Sequence, residues 1–249
     1  MQTSLQLRNR LLAFLLVVLT TLGVWGAAST QSLQADASRA ADPVLVLTFA
    51  PVKSGVPLKE IRSTTRSLHA ALSSQPGFVS AESLLLPGEE GRGHQLVRAV
   101  VWQSVEDAES AALAIDGLPD LIGVLARTGP GRTTTYRQLR AAGATSTPAT
   151  KGGFLELTRY RTKSGARRSE NLARFDAAQP AFVESPGVLG DSTWISPTGQ
   201  WLHLVRWRSA ADFGTAAKAL MKNPKVFGWI RSLDYKRFTV TKGNVILTP

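Results

Sequence analysis

Apolar residues along the chain follow two spacings, and each spacing predicts a different secondary structure. Apolar residues at every second position predict strands, and apolar residues three or four positions apart predict helices. After residue 43 the predicted order is strand, helix, strand, strand, helix, short helix, strand, and this order occurs twice. The predicted strands are 44–49, 78–86, 95–103, 133–139, 154–161, 188–196, 200–208 and 236–241. The predicted helices are 58–74, 105–115, 119–125, 167–183, 210–221 and 224–233.

Short motifs repeat in register with these elements. Trp102 and Ser104 recur as Trp207 and Ser209 at an offset of 105, and Pro76-Gly77 recurs as Pro186-Gly187 at an offset of 110. A repeat of this length is a pair of domains, because solenoid repeats run about 20–50 residues. The sequence therefore predicts an α+β fold of two tandem ferredoxin-like βαββαβ domains within one chain, an intramolecular pseudo-dimer. The predicted parts are domain 1 at 43–141, a linker at 142–152 and domain 2 at 153–249.

The N-terminal residues predict export. Arg8 and Arg10 precede an apolar run, and small residues follow it at 26–29, the pattern of a secretory signal cleaved after Ala28. The alternative is an uncleaved anchor, because the uncharged stretch 11–28 approaches the roughly 20 residues that span a bilayer. Residues 29–42 are predicted to be a flexible tether. Both alternatives place the folded part outside the cytoplasm, secreted or periplasmic.

Positive charge is concentrated in the second predicted domain. The chain carries a net charge of +11, yet residues 42–141 hold ten basic and ten acidic residues, whereas 151–249 hold sixteen basic and seven acidic. This excess favours an anionic ligand or an anionic membrane surface, or it is only a solvated basic surface. No nucleic-acid-binding motif accompanies it, so no nucleic-acid partner is expected. The absence of cysteine excludes disulfides and thiolate chemistry.

Strand alternation predicts a lined pocket in the second domain. Strands one and three are expected to be parallel central neighbours, with the apolar Leu155 and Leu157 under the helices. The face without helices then gathers a carboxylate, a histidine, a threonine and aromatic residues: Glu156, Thr158, Tyr160, Trp201, His203 and Trp207. The same face of the first domain carries Arg98 and Trp102.

These residues have two interpretations each. Trp102 and Trp207 either shape a ligand pocket or fill a core. His203 is either a general base or hydrogen-bond donor to a substrate hydroxyl, or a core histidine paired with Glu156 or Tyr160. Glu156 either pairs with His203 or an arginine, or has a pKa shifted for function. His69 and His94 are predicted to lie on the surface.

The repeated motifs resemble a known family. Pro-Gly before strand two, Trp-x-Ser at the end of strand three and an acidic residue soon after resemble the antibiotic biosynthesis monooxygenase superfamily. The resemblance covers about 200 residues of this chain. It implies a dimeric α+β barrel with a cavity between two sheets, here built from one chain that is monomeric.

The resemblance also bears on chemistry. Members include cofactor-free oxygenases of polyketide-type aromatics and haem-degrading monooxygenases. Quinone-forming members place an asparagine four residues before the tryptophan, where this chain has Arg98 and His203. Haem-degrading members use a helical histidine ten residues after it, where this chain has Ala112 and Ala217. No cofactor and no metal are therefore predicted.

Three functions follow as hypotheses. One is an exported, cofactor-independent monooxygenase acting on a small aromatic substrate, with His203, Glu156 and Tyr160 as catalytic residues. Its pocket would be lined by Trp207, Trp201, Thr158, Trp102 and Arg98. The second is a non-catalytic module that binds a small molecule outside the cytoplasm. The third is a structural protein whose barrel is filled by its own side chains.

Overall fold

The protein is described by a computed structural model over residues 42–87, 93–143 and 153–247. The predicted signal or anchor, nearly all of the tether and most of the linker lie outside these ranges. The chain divides into two compact units, Met1–Arg137 together with Pro249, and Gln138–Thr248, here called unit 1 and unit 2. Among the described residues, no helix is long and apolar enough to cross a membrane.

Unit 1 has the predicted order of elements. They are β1 (Val44–Pro51), α1 (Leu58–Ser73), β2 (Phe78–Leu86), β3 (Gln95–Trp102), α2 (Val105–Ile115), α3 (Pro119–Arg127) and β4 (Arg132–Gly143). The last six residues of β4 fall in unit 2. The α+β assignment is confirmed.

The sheet of unit 1 has the order β2-β3-β1-β4, and every neighbouring pair is antiparallel. β1 and β3 are central neighbours as predicted, with Thr48 opposite Arg98. The expectation that these two strands run parallel is wrong. The helical crossover makes β1 and β2 parallel, and the hairpin after β2 reverses β3, which then lies antiparallel between them.

Unit 2 repeats the arrangement. Its elements are β5 (Phe154–Tyr160), α4 (Arg168–Val183), β6 (Val188–Ile195), β7 (Trp201–Trp207), α5 (Ala210–Leu220), α6 (Pro224–Arg231), a 3₁₀ turn (Tyr235–Arg237) and β8 (Thr239–Leu247). The sheet order is β6-β7-β5-β8, again antiparallel throughout. The last strand begins three residues later and ends six residues later than predicted, since the 3₁₀ turn occupies its expected start.

The repeated Pro-Gly and Trp-x-Ser motifs form one local structure. Ser104 caps α2 by accepting a hydrogen bond from the backbone N–H of Asp107 at 3.0 Å, and Ser209 caps α5 in the same way from Asp212 at 3.1 Å. Gly77 has φ 71°, and a Cβ there would clash with the side chain of Asp107. The motif therefore recurs because only glycine fits beside the aspartate that is hydrogen-bonded to the capping serine.

The predicted assignment of faces is wrong in both units. His203 and its face contact Phe175 and Phe182 of α4 and Trp229 of α6, so this face lies under the helices. In unit 1, Arg98 and Trp102 likewise face α1 and α2 across a cavity. The prediction failed because the opposite face, with Leu155 and Leu157, is also buried, so apolarity does not distinguish the two.

Candidate functional site

The predicted site residues of unit 2 share one face of the β5–β7 pair. Thr158 lies opposite His203, and Tyr160 lies opposite Trp201, as the cross-strand register requires. Tyr160, Trp201 and Trp207 belong to one hydrophobic core with the helices that cover them. The residues that were predicted to line a pocket are therefore packed against helix side chains.

His203 is a core histidine with a partner that sequence reasoning missed. Its Nε2 lies 2.6 Å from Oδ2 of Asp191, and the two side chains are 2% and 0% exposed. Gln179 of α4 donates to the other carboxylate oxygen of Asp191 at 2.9 Å. The partner is therefore Asp191 of β6, not Glu156 or Tyr160. Three aromatic rings surround the imidazole edge-on at centroid distances of 4.8–5.5 Å.

Tyr160 lies within this core, and Glu156 lies beside it in contact with Trp207. Glu156 accepts a hydrogen bond from the Trp207 indole at 3.3 Å, and burial raises the pKa of its carboxyl. Tyr160 is stacked on Trp201, and burial raises the pKa of its hydroxyl. Tyr160 therefore has the environment of a packed core residue, whereas Glu156 is half-buried beside Trp207.

Unit 1 has a cavity at the equivalent place. The three aromatic residues around His203 correspond, by the repeat offsets, to the smaller Thr65, Leu72 and Val124. The cavity has a volume of about 70 Å³. Its apolar wall comes from the sheet and all three helices: Val46, Val100, Trp102, Leu68, Leu72, Ala108, Ala112, Ile115 and Leu121. Its polar residues are Thr48, Arg98 and Thr135.

Arg98 places a cation against this cavity. Its Nη1 atom is buried and has no hydrogen-bond partner, and burial lowers the pKa of the guanidinium to about 10. The group therefore remains charged at neutral pH. No acidic residue lines the cavity, and the buried hydroxyl of Thr135 also has no partner. Such a site is suited to an oxyanion on an otherwise apolar molecule.

His69 is buried near Arg98, so its predicted surface position is wrong. It is 1% exposed, and its Nε2 lies 2.9 Å from the Ser83 hydroxyl. Burial, and then the charge of Arg98, lower the pKa of the imidazole to about 4, so it is neutral at pH 7. The spacing of buried α1 residues at 61, 65, 68, 69 and 72 carried the signal that could have placed it in the core.

Comparison with known proteins identifies the fold. No family model matches the chain, and no curated protein matches it in sequence. A candidate monooxygenase from Fusobacterium nucleatum superposes with a TM-score of 0.67 at 9% identity, covering 84% of this chain and 95% of that protein. The chain has the fold of the antibiotic biosynthesis monooxygenase superfamily. The fold that the resemblance of the repeated motifs predicted is thus confirmed.

Other matches show how widely this fold is used. An anthrone oxidase-like protein matches with a TM-score of 0.55 at 11% identity, covering 84% of this chain and 93% of its own. A mutant chlorite dismutase from Candidatus Nitrospira defluvii, solved with cyanide, matches with a TM-score of 0.51 at 12% identity. The match covers 81% of this chain and 90% of that protein. The fold alone therefore does not select a reaction. Among the described residues, no group of three His, Asp or Glu side chains could hold a metal ion.

Proposed function

We propose that the protein is a monooxygenase-like enzyme that binds a small phenolic or enolic compound in the Arg98 cavity of unit 1 and oxidises it with dioxygen, without a cofactor. The observation that carries the proposal is the buried, unpartnered Nη1 of Arg98 beside an apolar cavity. The anthrone oxidase-like and monooxygenase neighbours support the reaction class. We place the site in unit 1 because the corresponding residues of unit 2 are packed in an aromatic core.

Arg98 would act by stabilising the ionised substrate. A guanidinium in an apolar site favours the phenolate or enolate over the neutral form, because an opposite charge stabilises an anion more strongly away from water. The anion transfers one electron to dioxygen, and the resulting radical and superoxide combine to a peroxide on carbon. The proton released on ionisation goes to solvent and one returns to the peroxide, which then loses water. Counted on the keto tautomer of the substrate, a CH₂ group and O₂ thereby become a carbonyl group and H₂O.

The cavity limits the size of the substrate. Its volume of about 70 Å³ is smaller than the roughly 150 Å³ of an engineered protein cavity that admits benzene. A monocyclic compound would enter only if the side chains on the helix side move outward. Fused polycyclic substrates are therefore not expected.

Replacement of Arg98 tests the proposal. Arg98→Gln removes the charge, and Arg66→Gln removes an equal charge from an exposed position on α1. We expect Arg98→Gln to weaken binding of monocyclic phenols by about 10- to 100-fold, the range for one hydrogen bond to a charged group. Oxygen uptake should fall with it, whereas Arg66→Gln should match the wild type. Wild-type affinity and turnover in Arg98→Gln would refute the proposal. Tight binding without oxygen uptake would instead support the binding-module hypothesis.

We also propose that the folded part is exported and that the two units form an intramolecular pseudo-dimer. The basic, apolar and small-residue pattern of residues 1–28 supports export, and the duplicated four-stranded sheets support the pseudo-dimer. Fractionation of cells expressing the full chain tests the first proposal, since recovery only in the cytoplasm would contradict it. Light scattering tests the second, because a single chain should be monomeric.

A further inference from the structure

Unit 2 carries a second cleft, on its outer surface. It lies where the end of β5 and the first turns of α4 meet α6, and its volume is about 260 Å³. Its lining includes Lys163, Arg174 and Arg231, together with Asn171 and the acidic Glu170. Glu170 lies 3.8 Å from the guanidinium of Arg167, which offsets its charge. The three basic side chains therefore set the charge of the cleft.

Asn171 is the unusual residue of this cleft. It is 2% exposed, and neither its amide nitrogen nor its carbonyl oxygen has a hydrogen-bond partner. The Tyr160 hydroxyl lies near both the Asn171 amide and the Trp229 indole nitrogen, and none of the three groups makes a hydrogen bond of proper geometry. An unpaired amide at a buried position is costly unless something binds to it.

The corresponding surface of unit 1 lacks these features. By the repeat offsets, Asn171, Arg174 and Arg231 correspond to Ile61, Thr64 and Ala126. The lysine is shared and structural, because Lys53 donates to the carbonyl of Ala126 at 2.5 Å and Lys163 donates to that of Arg231 at 2.7 Å. The two arginines and the buried amide are thus specific to unit 2.

We propose that this cleft of unit 2 binds a phosphate ester. Arg174 and Arg231 are exposed side chains at the cleft and would pair with the phosphate oxygens. The Asn171 amide would donate the hydrogen bond that it lacks in the free protein. The ligand is either a soluble phosphate ester or the head group of a phospholipid, and both present the same chemistry.

Substitution by the unit 1 residues provides the test. Asn171→Ile and Arg174→Thr introduce the residues that the other copy accommodates at these positions, and Lys218→Gln is an exposed charge-loss control outside the cleft. Binding of glycerol phosphate is measured by titration calorimetry, and binding of phosphatidylglycerol vesicles by co-sedimentation, both with the full chain. We expect each cleft substitution to weaken binding about tenfold or more, and Lys218→Gln to change it less than about twofold.

The outcomes separate the two sources. Binding of glycerol phosphate without vesicle binding identifies a soluble ester, and vesicle binding that Arg174→Thr removes identifies a lipid head group. Absence of binding to both probes overturns the proposal. So does undiminished binding in Arg174→Thr, a surface variant that should fold normally, or equal losses in the cleft variants and in Lys218→Gln.

Discussion

Burial of His69 predicts that unit 1 loses stability in mild acid. The pKa of the imidazole falls from its ordinary value of 6.5 to about 4 in the folded protein. Only the unfolded chain takes up a proton between these values, so the stability is complete above pH 6.5 and is lost as the pH falls towards 4. At about 1.4 kcal/mol per pH unit the loss is limited to roughly 3 kcal/mol, of which about 2 kcal/mol appears by pH 5.

The assay compares the wild type with His69→Gln, which cannot titrate but can still reach the Ser83 hydroxyl. Urea unfolding is measured at pH 7.5, 6 and 5, and the difference between the two proteins removes the contribution of the carboxyl groups they share. We expect His69→Gln to be less stable than the wild type at pH 7.5. The difference in their free energies of unfolding should shrink by about 2 kcal/mol between pH 7.5 and pH 5. His94→Gln controls for loss of a histidine elsewhere in unit 1. Parallel pH profiles for the wild type and His69→Gln would refute the reasoning.

Two further substitutions test the fold of the units. Gly77→Ala combines a φ of 71° with a clash against Asp107, so it should lower the free energy of unfolding, measured by thermal denaturation, by about 2–4 kcal/mol. Gly55→Ala is the control: its φ is 78° with nothing within 4 Å, and it should lower the free energy of unfolding by only about 1–2 kcal/mol. Equal losses in the two variants would show that the aspartate contact is unimportant. Asp191→Ala leaves His203 and Gln179 without their shared partner and should destabilise unit 2 by about 2–4 kcal/mol, while oxygen uptake per folded molecule should not change. Loss of turnover in fully folded Asp191→Ala would place the reaction in unit 2 instead.

Local patterns were enough to predict the order of elements. The helical spacing of α1 and the serine caps of α2 and α5 are short-range signals, and their predicted bounds agree with the structure to within a residue or two. The last strand was misplaced because a 3₁₀ turn occupies its expected start, and because Lys242 and Gly243 interrupt the alternation within the strand. The repeat offsets identified equivalent residues correctly, as the matching registers of the two sheets show.

The candidate site depended on information that local patterns do not contain. Which face of a sheet lies under helices cannot be read from alternation when both faces are buried, as Leu157 and Thr158 are. The partner of His203 lies on β6, twelve residues away, and its identity follows from strand pairing. The cavity at Arg98 accompanies differences in side-chain volume on α1 and α3, and a sequence shows those differences only after the repeats are superposed.

The two units differ in a way that packing alone does not explain. Unit 2 shows that this fold can fill the space under its helices with Phe175, Phe182 and Trp229, which pack around a paired histidine. Unit 1 has a cavity there, and a cavity costs stability in proportion to its volume. It also places a buried guanidinium nitrogen without a partner beside that cavity, a second cost. Both costs fall on the same few residues, and a bound anion would offset both. These two costs are the reason we propose the Arg98 cavity, and not the packed face of unit 2, as the ligand site.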